Sequence, residues 1–151
     1  MGFLDGGTVI SNAANAVYNA EPWLFGLLES RMHMTWMRAV AGRLKSDYRY
    51  SATLVYNTFP VPTLSESERE ALGAGALRVL TSREQYPGKT LAQLYDPDKM
   101  PDGLSEAHLA LDETVDRIYR DQPFSSDEER LELLFDLYET MISEEEGQLS
   151  A

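Results

Sequence analysis

Apolar residues recur at spacings of three and four along most of the chain, which is the pattern of helices with one buried face. The first such run begins after Pro22, and proline suits the first turn of a helix. Gly42 follows the run, and glycine commonly ends a helix. The sequence therefore predicts one long helix from about residue 22 to 41, with apolar positions at Leu24, Leu27, Leu28, Met32, Trp36 and Val40.

Three further helices are predicted in the second part of the chain. Residues 65–68 have the pattern of a capping box, and a Pro-Gly pair at 87–88 ends the helix that follows. A second apolar stripe occupies residues 104–119. Ser125 with Glu128 predicts the start of a third helix, whose tail from residue 143 we expect to be frayed. Three such helices can bury their stripes against one another as a small bundle.

Short strands are predicted in the first part of the chain. β-branched residues are concentrated at 8–10 and 16–18 between turn-forming residues, and residues 50–62, YSATLVYNTFPVP, have the composition of a strand. The two prolines that end this stretch prevent a regular ladder, so we place a domain boundary at 60–64. The predicted fold class is α+β and predominantly helical.

The charge is distributed unevenly between these two parts. The chain has a formal net charge of −12. Residues 1–62 carry five basic and four acidic side chains, a balance of +1, which leaves eight basic and 21 acidic side chains, a balance of −13, for residues 63–151. The bases of the first part cluster between Arg31 and Arg49. Such a cluster is either the solvated face of a helix or a surface that contacts phosphate.

The residue types argue against a catalytic, cofactor or metal site in this chain. Cysteine is absent, which fits a reducing compartment, and no secretory signal or membrane-spanning apolar run is present, so we expect a cytoplasmic protein. His33 and His108 lack partners at useful spacing and are predicted to pack on their helices. The acidic stretch at 96–102 lacks the glycine and distal glutamate of an EF-hand and is predicted to be a loop.

One short stretch, Tyr56 to Pro60, reads YNTFP and is similar to the Asn-Pro-Pro-aromatic signature of amino-methyltransferases. The two prolines that follow the asparagine in that signature are missing after Asn57, and no glycine-rich loop is present to hold a methyl donor. Asn57 is therefore predicted to make a local turn or backbone contact.

Longer stretches carry a resemblance to a known family. LFGLLESRMHMTWMRAVAGRLKSDYRYSATLVYNTFPVP, YPGKTLAQLYDPDKMPDGLSEAHLALDETVDRIYR and ERLELLFDLYE resemble the C-terminal end of MmeI-like type IIG/IIL restriction-modification enzymes. The resemblance implies that residues 1–62 correspond to the last part of a DNA target recognition domain and residues 63–151 to a C-terminal helical domain. It also implies that the nuclease and the adenine-N6 methyltransferase, which uses S-adenosylmethionine, lie upstream.

The resemblance gives specific roles to residues in the basic cluster. Two positions just before YRYS read one base pair in similar enzymes, and Lys45 and Asp47 align with them. In an extended segment these two side chains point the same way, and lysine with aspartate suits a G·C pair in the major groove. The alternative is a surface pair whose members merely screen one another. The side chains predicted to contact the DNA backbone are Arg31, Arg38, Arg43, Arg49, Tyr50 and Ser51.

Two functions from different classes follow. The first is a non-catalytic DNA-recognition and accessory part of an S-adenosylmethionine-dependent DNA methyltransferase, with double-stranded DNA and the upstream domains as partners and with no cofactor of its own. The second is an acidic helical module that docks on the rest of its own enzyme or on another protein, with the contact around Leu131 and Phe135.

Overall fold

The computed structural model describes residues 1–11, 14–44 and 47–149 of the chain. Within these residues the fold is mostly helical, and its strands form one short antiparallel pair. The elements in chain order are α1 (Pro22–Glu29), α2 (Arg31–Val40), β1 (Gly42–Leu44), β2 (Asp47–Arg49), a π-helical turn (Ala52–Tyr56), α3 (Glu66–Glu84), α4 (Leu91–Leu94), α5 (Asp102–Tyr119) and α6 (Asp127–Leu149).

The predicted long helix is two helices, because Ser30 interrupts it. The backbone of Ser30 is extended, with φ −75° and ψ 158°. Its hydroxyl donates to the carbonyl of Leu27 at 2.6 Å and accepts from the backbone N–H of His33 at 3.3 Å. One side chain thus satisfies backbone groups at the end of α1 and at the start of α2. Gly42 does not end α2, which stops at Val40; it opens β1 instead.

The prediction of strands at residues 8–10 and 16–18 is wrong. The Asp5 carboxylate accepts from the backbone N–H of Gly7 and from the Thr8 hydroxyl, each at 3.0 Å, and these bonds hold a turn ahead of the first stretch. Neither stretch pairs with a strand among the described residues. A strand needs a partner that bonds its backbone N–H and C=O groups. A strand-like composition alone was therefore not enough to predict strands at these positions.

The stretch at 50–62, which was predicted to be a strand, contains a π-helical turn instead. The Ser51 hydroxyl accepts from the backbone N–H of Leu54, and the N–H of Asn57 bonds to the carbonyl of Ala52 at 2.9 Å. Val55 is fully buried. The backbone groups are therefore satisfied locally, without a neighbouring strand.

The helices of the second part follow the sequence pattern closely. Ser65 and Glu68 form the predicted capping box of α3, and α5 covers the predicted stripe. The cap of α6 is shifted by one residue, because the hydroxyl of Ser126 accepts from the N–H of Glu129 while Ser125 bonds the Glu129 carboxylate. Residues 143–149 continue α6 where a frayed tail was expected. The short helix α4, capped by Thr90 and its Gln93 partner, was not predicted.

A single hydrophobic core runs through both parts of the chain. Helix α1 packs on α3 so closely that a Cβ atom on Gly26 would lie 2.7 Å from the carbonyl oxygen of Leu72 and 3.3 Å from Leu111 Cδ1. Only glycine fits there without displacing backbone. The fully buried core side chains contributed by the two parts are Leu27, Trp36, Val55, Leu72, Ala76, Val79, Leu104, Ala107, Leu111, Val115 and Leu134.

None of the helices in the described ranges combines the length and apolarity needed to cross a membrane.

Candidate nucleic-acid interface

The strand pair β1–β2 follows directly after α2 and carries the segment with the proposed base-reading positions. Its register pairs Gly42 with Arg49 and Leu44 with Asp47. The backbone thus places Asp47 at the start of β2, whereas Lys45 lies outside the described residues. Arg49 is exposed to solvent. The pairing of Lys45 with Asp47 on one base pair therefore stays a prediction.

The third paired position of the two strands is Arg43 with Tyr48. The backbone places Arg43 in the middle of β1, between Gly42 and Leu44. Tyr48 has 40% of its surface exposed. Two of the four proposed backbone-contacting arginines, Arg43 and Arg49, thus belong to this strand pair.

The other two arginines lie on α2 and meet one carboxylate of α6. Arg31 Nε donates to Asp127 Oδ1 at 2.6 Å, and Arg38 Nη1 lies 3.8 Å from Asp127 Oδ2. The two arginine side chains are 50% and 52% exposed. A guanidinium has five N–H donors, and the bond from Arg31 Nε to Asp127 uses one of them. This geometry leaves both side chains at the surface on one side of α2.

A third arginine anchors the same carboxylate from inside the helical part. Arg130 Nη1 lies 3.3 Å from Asp127 Oδ1, and Arg130 Nε donates to Asp116 Oδ1 at 3.0 Å. Partial burial opposes ionisation of Asp127, but its hydrogen bond with Arg31 and the charges of Arg31 and Arg130 outweigh that effect and hold its pKa below the usual value. Asp127 is thus ionised at neutral pH and joins α2 to α6.

Asp112 of α5 makes a second connection to the start of α2. Its Oδ1 accepts from the backbone N–H of Arg31 at 2.7 Å. Burial raises the pKa of Asp112 to about 6, although the hydrogen bond from Arg31 acts in the opposite direction. Sequence reasoning missed both Asp112 and Asp127. Asp127 lies in the first turn of α6, where acids are common, and Asp112 lies in the middle of α5. Nothing in the spacing of either residue indicates that it contacts α2.

Tyr50 and Ser51 make local contacts beside the strand pair. The Tyr50 hydroxyl lies 3.1 Å from Nε2 of the buried His33, and Ser51 caps the π-helical turn. Burial lowers the pKa of His33 to about 4, so its imidazole is neutral at pH 7. His33 also packs edge-on against Phe59, with ring centroids 4.6 Å apart. The predicted packing of His33 on its helix agrees with this placement.

A cavity of about 710 Å³ opens beside His33, between the N-terminal segment, α1, α2 and the π-helical turn. Most of its wall is apolar. Asn57, the asparagine of the YNTFP stretch, lies on this wall and forms the turn after residue 56. Apolar and aromatic side chains on this wall include Val17, Tyr18, Leu28, Met34, Met37 and Tyr56.

The described residues hold no group of three histidine, cysteine or carboxylate side chains that could bind a metal ion. His108 bonds the Tyr95 hydroxyl through Nε2 at 2.7 Å, and burial lowers its pKa. In the acidic loop, Asp96 accepts from the backbone N–H of Asp98 at 3.1 Å and pairs with Lys99. These contacts stabilise the packing of α5 and the connection that precedes it.

Comparison with known proteins gives one consistent result. The family model of the MmeI target recognition domain matches residues 1–63, and that of the MmeI C-terminal domain matches residues 64–144. DNA methyltransferase A of Bacillus subtilis (strain 168) is 52% identical over 141 residues, which are 93% of this chain and 16% of that protein. The type IIL restriction-modification enzyme MmeI, solved in complex with DNA, matches with a TM-score of 0.80 and 47% identity over 83% of this chain and 17% of its own. The chain therefore spans about one sixth of the length of these relatives and belongs to the MmeI family.

Proposed function

We propose that this chain provides the DNA-recognition and C-terminal helical parts of a restriction-modification DNA methyltransferase and is not catalytic by itself. The observation that carries the proposal is the match to both MmeI domains together with the likeness to an MmeI structure solved with DNA. The longer enzyme would methylate adenine N6 with S-adenosylmethionine bound outside this segment.

In this proposal residues 1–62 contact double-stranded DNA and residues 63–151 support them. Lys45 and Asp47 read one G·C pair. Arginines on α2 and on the strand pair hold the phosphates, with Tyr50 and Ser51 beside them. The exposure of Arg31, Arg38 and Arg49 supports this role. Arg31 is hydrogen-bonded to Asp127 and Arg38 forms an ion pair with it at 3.8 Å, so phosphate would approach side chains that are already held in place.

Binding to a duplex at several salt concentrations tests the proposal. If four phosphates are neutralised, log K against log[salt] should have a slope of about −3.6. Arg38→Ala should weaken binding and reduce the slope by about 1. Arg117→Ala is the matched control, since this arginine is 75% exposed on α5 and pairs with Glu113 in the acidic part. No binding by the unmodified chain at low salt, or equal losses in the two variants, would contradict the proposal.

The alternative function, docking through the acidic helical part, uses the stripe of α6 around Leu131 and Phe135. Phe135 is 43% exposed, but its ring packs against Trp36 of α2 with centroids 5.3 Å apart. Tyr138 packs on the same tryptophan at 5.5 Å. The stripe thus contributes to contacts within the chain, which favours the DNA-recognition proposal over this one.

A further inference from the structure

Tyr50 directly follows the strand pair and contacts a buried side chain of α2. Strand β2 ends at Arg49, and the Tyr50 hydroxyl lies 3.1 Å from Nε2 of His33. Tyr50 is 38% exposed, whereas His33 is 1% exposed. This hydrogen bond therefore joins the end of the strand pair, at the surface, to the interior of the recognition part.

Several contacts hold the imidazole of His33 in place. The residue lies in the first turn of α2, where its backbone N–H bonds the Ser30 hydroxyl at 3.3 Å. Its ring packs against Phe59, with centroids 4.6 Å apart, and against Tyr50, with centroids 5.9 Å apart. Packed interior side chains sit in defined rotamers. His33 is thus a fixed point to which the Tyr50 hydroxyl is bonded.

The neutral ring of His33 is suited to donate to this hydroxyl. Because burial lowers its pKa to about 4, the imidazole carries a single N–H at pH 7. Nδ1 is buried and has no hydrogen-bond partner among the described residues, whereas Nε2 faces the Tyr50 oxygen. Among backbone groups, a buried N–H without an acceptor is rarer than a buried acceptor without a donor. By the same preference the proton of His33 lies on Nε2 and is donated to Tyr50.

The bond lies close to the position that is proposed to read a base. Asp47 begins β2, and three residues of a strand span only about 10 Å, so Tyr50 is near Asp47 along the chain. The two strands pair with each other, and among the described residues neither packs extensively on a helix. Groups that recognise a ligand must be held to within about 0.5 Å. The position of the strand pair therefore depends on the contacts at its ends.

We propose that His33 is a positioning residue for base recognition and acts through the Tyr50 hydroxyl. The bond fixes the strand pair relative to α2 and thereby sets where Lys45 and Asp47 meet the DNA. The inference rests on the proposed function. His33 is too buried to touch DNA itself, so its loss should reduce discrimination between base pairs. The proposed phosphate contacts on α2 belong to the helix that carries His33 and should persist.

Methylation of a library of randomised sites, by a longer MmeI-like enzyme that carries this segment, tests the role of His33. His33→Phe keeps a ring beside Phe59 but removes the bond, and it should lower discrimination at one base pair at least about threefold. Tyr50→Phe should cause the same loss, and the double variant no further loss, because all three lack the same bond. His33→Gln should retain discrimination, since its amide can donate near the position of Nε2.

A second histidine–tyrosine pair provides the matched control. The Tyr95 hydroxyl lies 2.7 Å from His108 Nε2 in the helical part of the chain. His108→Phe and Tyr95→Phe should leave the preferred target unchanged, and melting temperatures of all variants control for folding. Amide hydrogen exchange of β2 needs no DNA, and it should be faster in His33→Phe than in His108→Phe.

The possible outcomes separate this inference from the proposed function. If Lys45→Ala with Asp47→Ala alters the target but His33→Phe does not, the inference is wrong and the proposed function stands. A fall in methylation that is equal at every site, additive losses in the double variant, or no rescue by His33→Gln would also overturn the inference. Unchanged exchange of β2 would do the same. If His33→Phe alters discrimination and the Lys45–Asp47 double substitution does not, only the assignment of those two readers is rejected.

Discussion

Arg31 Nε on α2 lies 2.6 Å from Asp127 Oδ1 on α6, although 96 residues separate them in the chain. This bond joins the segment that precedes the strand pair to the last helix. Asp127 also pairs with Arg130 at 3.3 Å, so one carboxylate connects the surface of the recognition part to the interior of the helical part. The position of α2 therefore depends on residues far along the sequence.

The Arg31–Asp127 pair should contribute modestly to stability. Its side chains are 50% and 30% exposed, and pairs of this kind are worth about 0.2–1 kcal/mol in double-mutant cycles. We expect Arg31→Ala and Asp127→Ala to show a coupling free energy in that range by urea unfolding at low salt. Arg117→Ala with Glu113→Ala, an exposed pair on α5, is the control and should show a smaller coupling. A coupling of zero at low salt would mean that the contact does not stabilise the fold.

Gly26→Ala should destabilise the protein because a new Cβ would lie 2.7 Å from the Leu72 carbonyl oxygen. Overpacking of this kind costs about 1–3 kcal/mol. Gly73→Ala on the facing helix α3 is the matched control. Its Cβ would meet Pro22 at an ordinary 3.6 Å, and alanine favours a helix interior over glycine by about 0.5–1 kcal/mol. Thermal unfolding should therefore shift in opposite directions, and a shift in the same direction would refute the close approach of α1 and α3.

Asp112→Asn should remove a pH-dependent loss of stability. The pKa of Asp112 is raised from 3.8 to about 6 by burial, so the folded state holds the proton more tightly than the unfolded state. Stability thus falls as pH rises from about 4 to about 6, and the loss is complete above that window. The variant should be more stable than the unmodified chain by about 1–2 kcal/mol at pH 7, after a discount for partial exposure.

The difference between Asp112→Asn and the unmodified chain must be measured across pH, because His33 titrates with the opposite sign. Its folded pKa of about 4 lies below the ordinary 6.5, so stability falls as pH drops through that range. Subtracting the two urea-unfolding profiles cancels the contribution of His33. A difference that does not change between pH 4 and pH 6 would show that Asp112 does not titrate as expected.

Base reading can be tested in a longer MmeI-like enzyme that carries this segment. Lys45→Ala with Asp47→Ala should change the preferred base at one position of the target, because these side chains are proposed to contact base edges. Arg49→Ala should instead weaken binding to every sequence, since a phosphate contact carries no sequence information. Methylation of a library of randomised sites measures both effects. An unchanged target after the double substitution would eliminate Lys45 and Asp47 as readers.

The sequence predicted α3 and α5 because their apolar stripes are long and their ends carry strong signals, such as the capping box of Ser65 and Glu68. It missed the break at Ser30, since the apolar spacing continues across that residue and only the two hydrogen bonds of the hydroxyl reveal the interruption. It also missed the π-helical turn, because β-branched composition does not report whether a partner strand exists.

The candidate site was predictable only in part. A cluster of bases before Arg49 is visible in the sequence, and its resemblance to known enzymes assigned roles to individual positions. The contacts of Arg31 and Arg38 with Asp127 depend on how α6 packs against α2. The cavity likewise forms from segments distant in sequence. Long-range packing, which no local pattern encodes, decides both features.

The contact between Gly26 and Leu72 constrains the exchange of segments between related chains. A crossover at the prolines near residue 60 would place a foreign α1 on a resident α3, and any larger residue at position 26 would collide with backbone. A graft restricted to residues 42–51 keeps that buried contact intact. An exchange of the strand pair with its flanking tyrosine and serine would thus leave the packing of α1 against α3 undisturbed.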